Sequence, residues 1–270
     1  MSINEEGYLS EEMNEIEKEI LHDNYKYFNI ARRLNILGHS LKFKLNIHQQ
    51  DAQEITAATL YVSLLESFNS IYILTSKGLI VDANILLRSL LEKTLRLKYV
   101  SMTYENAIHY HMASEKERLK LLNSIHNAKE GVFSNEVRST ITKEEIDNLK
   151  ERIDLEGVKE LPSNEVLARM TGLEMIYQNA YRILNSYVHT NATLINKFVN
   201  TNEKGMITDL NWFSHFNNNS SEVEQVMFST LYLIITATET IIELFELEYG
   251  ELIQSLTEEL DQLVSLRMDQ

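Results

Sequence analysis

The chain has 270 residues, 44% hydrophobic and 24% charged, an ordinary globular composition with length for one large core. It has no cysteine, so disulfides, thiolate metal sites and cysteine nucleophiles are excluded. A formal net charge of -15 argues against non-specific nucleic-acid binding, which depends on neutralising phosphates with Lys and Arg.

Of that charge, -17 lies in residues 1–24 and 222–270, while residues 25–221 carry +2. Arg88 to Lys129 holds eight basic residues against four acidic ones, so an anionic ligand is not forbidden there. Eight Gly and a single Pro, Pro162, supply few turn formers, which predicts long helices joined by few loops.

Ser10 followed by Glu11 and Glu12 reads as a helix start, because acids in the first turn complement the helix dipole. That helix is expected to reach Leu37, with Gly38 breaking it. A second helix is expected over Gln50 to Ser76, stopped by Lys77-Gly78. A third covers Val81 to Met102 and a fourth Glu105 to Lys129. Thr142-Lys143-Glu144-Glu145 has the form of a capping box and opens a charged helix to about Leu155.

Residues 157–163 read as loop, and the short helix after them yields at Gly172. Leu173 to Thr190 is then predicted as one helix and Asn200 to Asn219 as the longest loop. Ser221-Glu222-Val223-Glu224 repeats the capping box and launches a helix towards Leu247, and Gly250 separates this from an acidic terminal helix. No segment shows strand alternation with hairpin turns.

The fold class that follows is all-α, a helical bundle of long antiparallel helices with short accessory helices. Residues 1–44 are expected as an acidic helical extension, 45–250 as the bundle and 251–270 as an acidic terminal helix. The first residues are acidic and lack the apolar centre of a signal peptide. Val226 to Phe245 is apolar but carries Glu239 near its middle, so it reads as a buried core helix rather than a membrane span. The expected location is the cytoplasm.

Two helix faces could carry chemistry. On a wheel of 100° per residue, Leu173, Ile176, Tyr177, Ala180, Ile183, Leu184, Tyr187 and Val188 gather on one side as core. Gln178, Arg182, Asn185, Ser186 and His189 gather opposite. Arg182 and His189 are two turns apart and project almost in line. A solvated face normally carries Lys and Glu, whereas this one carries residues that make directional hydrogen bonds. A polar seam satisfied by a neighbouring helix has the same composition.

On the helix Val81 to Met102, Leu86, Leu87, Leu90, Leu91, Leu95 and Leu97 cover the core side, and Arg88, Glu92, Arg96 and Tyr99 align on the other. Glu92 lies four residues from each Arg, so one carboxylate can orient two guanidiniums, or form only a surface ladder. Other candidates are weaker. Glu19 and His22 match one half of a di-iron motif without its second copy. His109 and His111 point apart on a helix, and the aromatic stretch Trp212 to Phe216 anchors a long loop or covers a site. No phosphate-gripping Gly-rich loop, Ser nucleophile motif or His-Glu-x-x-His is present, and neither metal nor cofactor is expected.

Arg182-Ile-Leu-Asn-Ser-Tyr-Val-His189 resembles the HEPN superfamily, whose signature is an Arg followed after four to six residues by His. Gly78, Ala83 to Glu92 and Tyr181 to His189 also resemble a bacterial family of unknown function with an "R..LE" helix and a "Y…S..H" helix. The resemblance covers roughly residues 45–250. It implies a helical bundle, usually dimeric, in which two Arg/His helices meet. Many members are RNases of toxin–antitoxin or phage-defence systems, and others bind nucleotides.

Carried onto this sequence, the resemblance makes His189 the general acid/base and Arg182 the phosphate clamp. Asn185 and Ser186 support them, and Arg88, Glu92, Arg96 and Tyr181 form a second layer. Ile183 stands where active members commonly place a polar residue after the Arg. Three readings stay open. One is a metal-independent endoribonuclease, as a homodimer and with a protein partner or activator. Another is a non-catalytic module for a nucleotide or protein. The last is a structural bundle.

Overall fold

A computed structural model describes residues 3–129, 131–188, 196–211 and 220–268, apart from the side chains of 4, 182, 220 and 264–268. The chain is an all-α bundle with one small hairpin. It opens with the short helix α1 (Ile3–Glu6), a 3₁₀ turn (Gly7–Leu9), α2 (Glu12–Asp23) and α3 (Tyr25–Leu41). The long helices α4 (Ala52–Ser76), α5 (Ile80–Met102) and α6 (Tyr104–His126) follow. Then come α7 (Asn135–Ser139), α8 (Lys143–Leu155), α9 (Asn164–Met170) and α10 (Glu174–Ile176). A π-turn (Tyr177–Tyr181) leads into α11 (Arg182–Val188). The hairpin β1 (Val199–Thr201) and β2 (Ile207–Leu210) precedes α12 (Ser220–Leu244) and α13 (Gly250–Met268).

Local chemistry explains the helix ends. Asp51 caps α4, its carboxylate accepting from the backbone N–H groups of Gln53 and Glu54. Gly78, at φ 74, takes the left-handed position after α4, and the three-residue turn 77–79 sends α5 back along α4. Thr103, Thr142 and Ser163 cap α6, α8 and α9 through their hydroxyls.

α4, α5 and α12 form the centre, with α3 and α13 packed on α12 and α11 laid across α5. α4 and α12 are long and apolar enough to cross a bilayer by length and composition. Of the most apolar window of α12, 72% is buried inside the bundle, as expected for a helix with core on several sides. Tyr61 on α4 donates its hydroxyl to Thr238 Oγ1 on α12 at 3.1 Å, because the Thr238 hydrogen is already given to Ile234 O. Burial pushes the Tyr61 hydroxyl up to about 12.

Phe28, Ile30 and Leu34 of α3, and Ile253, Leu256 and Leu260 of α13, belong to the same core as Phe68 and Leu91. A separate small core, with Leu122, Ile146, Leu149 and Ile153, joins α6 to α8.

Three expectations about elements need correction. The helix from Ser10 breaks at Asn24, whose side chain donates to Ile20 O and competes with the backbone pattern. Gly38 does not end α3 but lies inside it, where a Cβ would stand 2.5 Å from Leu65 Cδ2, so glycine allows α3 and α4 to approach closely. The loop expected from Asn200 contains most of the β1–β2 hairpin, which pairs antiparallel with an irregular register at Asn200/Thr201. β2 is exposed throughout, so no buried face imposed an alternating pattern on it.

Candidate functional site

α5 and the π-turn bring together the four residues assigned to a supporting layer. Arg88 and Glu92 are one turn apart on α5, with Arg88 Nε 3.3 Å from Glu92 Oε1. The pair attracts by charge, but Nε itself makes no hydrogen bond among the described residues. Arg88 Nη2 donates to the Tyr181 hydroxyl at 3.1 Å, and its guanidinium sits 5.0 Å from the Tyr181 ring centre. Arg96 Nη1 lies 3.8 Å from Glu92 Oε2 and donates to the Glu92 backbone carbonyl at 2.8 Å. One carboxylate is thus shared by two guanidiniums. The three side chains are 18% (Arg88), 25% (Glu92) and 29% (Arg96) exposed, so this is more than a solvated ladder.

Two further residues join the cluster. Asn164, the first residue of α9, directs Nδ2 to the Tyr181 hydroxyl at 3.4 Å. Tyr177 stacks on Tyr181 with ring centres 4.4 Å apart and an angle of 23°. Its hydroxyl is held above the ordinary value, mainly by burial, then by Tyr181, Glu165 and Glu92, with Arg88 opposing. A sequence signal for Tyr177 existed, the four-residue spacing to Tyr181, but the wheel assigned Tyr177 to the core. Asn164 left no comparable signal beyond its place after the Ser163 cap. Beside the cluster, Arg169 lies 3.7 Å from both Glu165 and Glu174, one guanidinium shared by two carboxylates.

Tyr99, aligned in sequence with Arg88 and Arg96, is instead buried and bonded to His109 Nδ1 at 2.7 Å. The helix expected over Leu173 to Thr190 is interrupted by the π-turn, where hydrogen bonds reach one residue further than in an α-helix. The extra residue shifts the phase of everything after it. Leu173 and Leu184 are buried as expected, whereas Ile183 is 62% exposed and Val188 is also exposed. Tyr181, outside the predicted core face, packs against the core.

Of the four residues assigned to catalysis, Arg182 begins α11 but its side chain lies outside the described residues, as does all of His189. Ser186 donates its hydroxyl to Ile183 O at 2.6 Å. Asn185 Oδ1 is buried, and no hydrogen bond reaches it from the described residues. Trp212 to Phe216 also lies outside them. Among the described residues no group of three His, Asp or Glu side chains is placed to hold a metal ion.

A family model described as a family of unknown function (DUF5677) matches residues 54–206, more than half of the chain. The chain belongs to the DUF5677 family. The matched stretch includes every candidate residue from Arg88 to His189. This agrees with the expectation of a family of unknown function, and the match does not extend to the HEPN superfamily. No curated protein and no solved structure matches the chain. The helices α1 to α3, α12 and α13 of this DUF5677 protein fall outside the matched stretch, although α12 is central to its core.

Proposed function

We propose that this protein is a metal-independent endoribonuclease of toxin or phage-defence type, working as a homodimer. The observation that supports it best is the anchoring of the π-turn. Arg88, Glu92 and Asn164 converge on Tyr181, the residue immediately before Arg182. π-turns inside helices are frequent at functional sites, because they cost backbone regularity and need outside support. In this reading the cluster supplies that support, immediately before α11 begins at Arg182.

In this reading His189 takes the proton of the RNA 2′-OH. The 2′ oxygen attacks phosphorus, the bond to the 5′ oxygen breaks, and a second histidine, from the other copy, returns a proton to that oxygen. Arg182 clamps the phosphate as negative charge builds. Chain, proton and phosphate balance without a metal, because RNA supplies its own nucleophile.

The test is cleavage of a mixed pool of labelled RNAs in EDTA by wild type, His189→Ala and Arg182→Ala. Wild-type cleavage reduced about 10²–10⁴-fold by His189→Ala is the expected result. Equal cleavage by wild type and His189→Ala would remove the reading. A second reading, a non-catalytic module for a nucleotide or protein partner, is favoured by the charge sharing at Glu92, which leaves Arg88 and Arg96 already partnered. It is supported if wild type binds labelled nucleotide or RNA without cleaving it.

A further inference from the structure

Between α3, α5, α11 and α12 the described residues line a half-open cavity of about 410 Å³. Its floor is mostly apolar, made by the buried side chains of Ile80, Leu87, Leu184 and Val226, with one buried amide, Asn84, whose Nδ2 donates to Ile80 O. Aromatic rings of Tyr27, Tyr187 and Phe228 stand around it. The carboxamides of Asn179 and Gln225, both exposed, mark the mouth. The one carboxylate on the wall, Glu222, is paired with Lys197 Nζ at 2.6 Å, so the described lining offers no uncompensated charge.

The π-turn shapes the outer wall. In an uninterrupted helix Ile183 would share the inward face with Leu173 and Ile176. With the extra residue it lies on the cavity wall and is left 62% exposed. Apolar space that the described residues leave unfilled forfeits the contacts that a collapsed core would make. A space of this size, mostly apolar within and with a few amides in its wall and at its rim, has the character of a small-molecule site.

We infer that this cavity binds an uncharged aromatic molecule of two to three rings, held by the apolar floor and the surrounding rings and oriented by amide hydrogen bonds at the mouth. An uncharged ligand is favoured because, among the described lining residues, an ionised one would be desolvated with no free counter-charge to meet it. Aromatic character follows from the three rings, which favour edge and offset contacts. The site is separate from the arginine cluster, which is reached through Tyr177 and Tyr181 rather than Ala180 and Ile183. It stands whether or not the protein cleaves RNA.

The experiment titrates the full chain with N-phenyl-1-naphthylamine, a neutral aromatic whose fluorescence rises on leaving water. Ala180→Trp plugs the cavity from the π-turn, and Asn179→Trp plugs it at an exposed position that leaves the core untouched. Ile36→Trp, exposed on α3 outside the cavity, is the control for added surface tryptophan. Circular dichroism melts establish which variants are folded. The expected result is a saturable rise at one probe per chain, weakened at least tenfold by the folded plugging variants and unchanged by Ile36→Trp. No saturable rise in wild type, an equal rise in a folded plugging variant, or an equal loss in Ile36→Trp overturns the inference.

Discussion

Removing the Glu92 carboxylate leaves Arg88 and Arg96 facing each other, both largely withdrawn from water and without their shared counter-charge. Leaving a partly buried charge unpaired costs more than the pair contributed, on the order of 1–3 kcal/mol. Glu92→Gln is therefore expected to lower the melting temperature by several degrees, at roughly 2–4 °C per kcal/mol for a chain of this size class. Tyr181→Phe tests the other end. That hydroxyl accepts from Arg88 and Asn164 and gives its one hydrogen to Glu92, so its loss is expected to cost about 1 kcal/mol. If both variants melt with wild type, the cluster does not hold the π-turn, and the proposal of a supported Arg182 loses its footing.

Among the helices, the contact of α12 with α13 carries a titratable group. Burial holds the Glu239 carboxyl above its ordinary 4.5; a hydrogen bond from Thr257 opposes this, Glu243 adds to it and Lys98 opposes it. A carboxyl that binds its proton more tightly folded than unfolded lowers stability wherever it is ionised. That deficit is full above the raised folded value, shrinks as the pH falls through it, and is gone below 4.5. Glu239→Gln is expected to melt higher than wild type near pH 7, with the gap closing at about pH 4. A gap that widens on acidification would contradict the assignment.

The long elements were legible because caps and breakers are local. Gly78 and Thr142, both read as helix signals, act on residues within one turn. Gly38 was misread because its role is set by Leu65 on another helix, and Ile183 because the phase of α11 is set by a single π-turn. The Arg88–Glu92–Arg96 spacing was visible along α5, but its junction with Tyr181 and Asn164 spans 93 residues and depends on the fold.

At the scale of the molecule, the stretch matched by the family model is not a self-contained core. α12 packs against α4 and α5, α3 packs against both α4 and α12, and α12 and α3 lie outside 54–206. A fragment of residues 54–206 exposes the apolar faces that these helices cover, so it is expected to melt without cooperativity and to self-associate. A sharp two-state melt of that fragment would show that α4, α5 and α11 suffice. The late position of α12 has a consequence during synthesis. α5 ends at Met102, but its covering helix ends at Leu244. At about 5–20 residues per second, the apolar face of α5 that α12 covers stays without that cover for on the order of ten seconds during synthesis, a window in which it is open to aggregation.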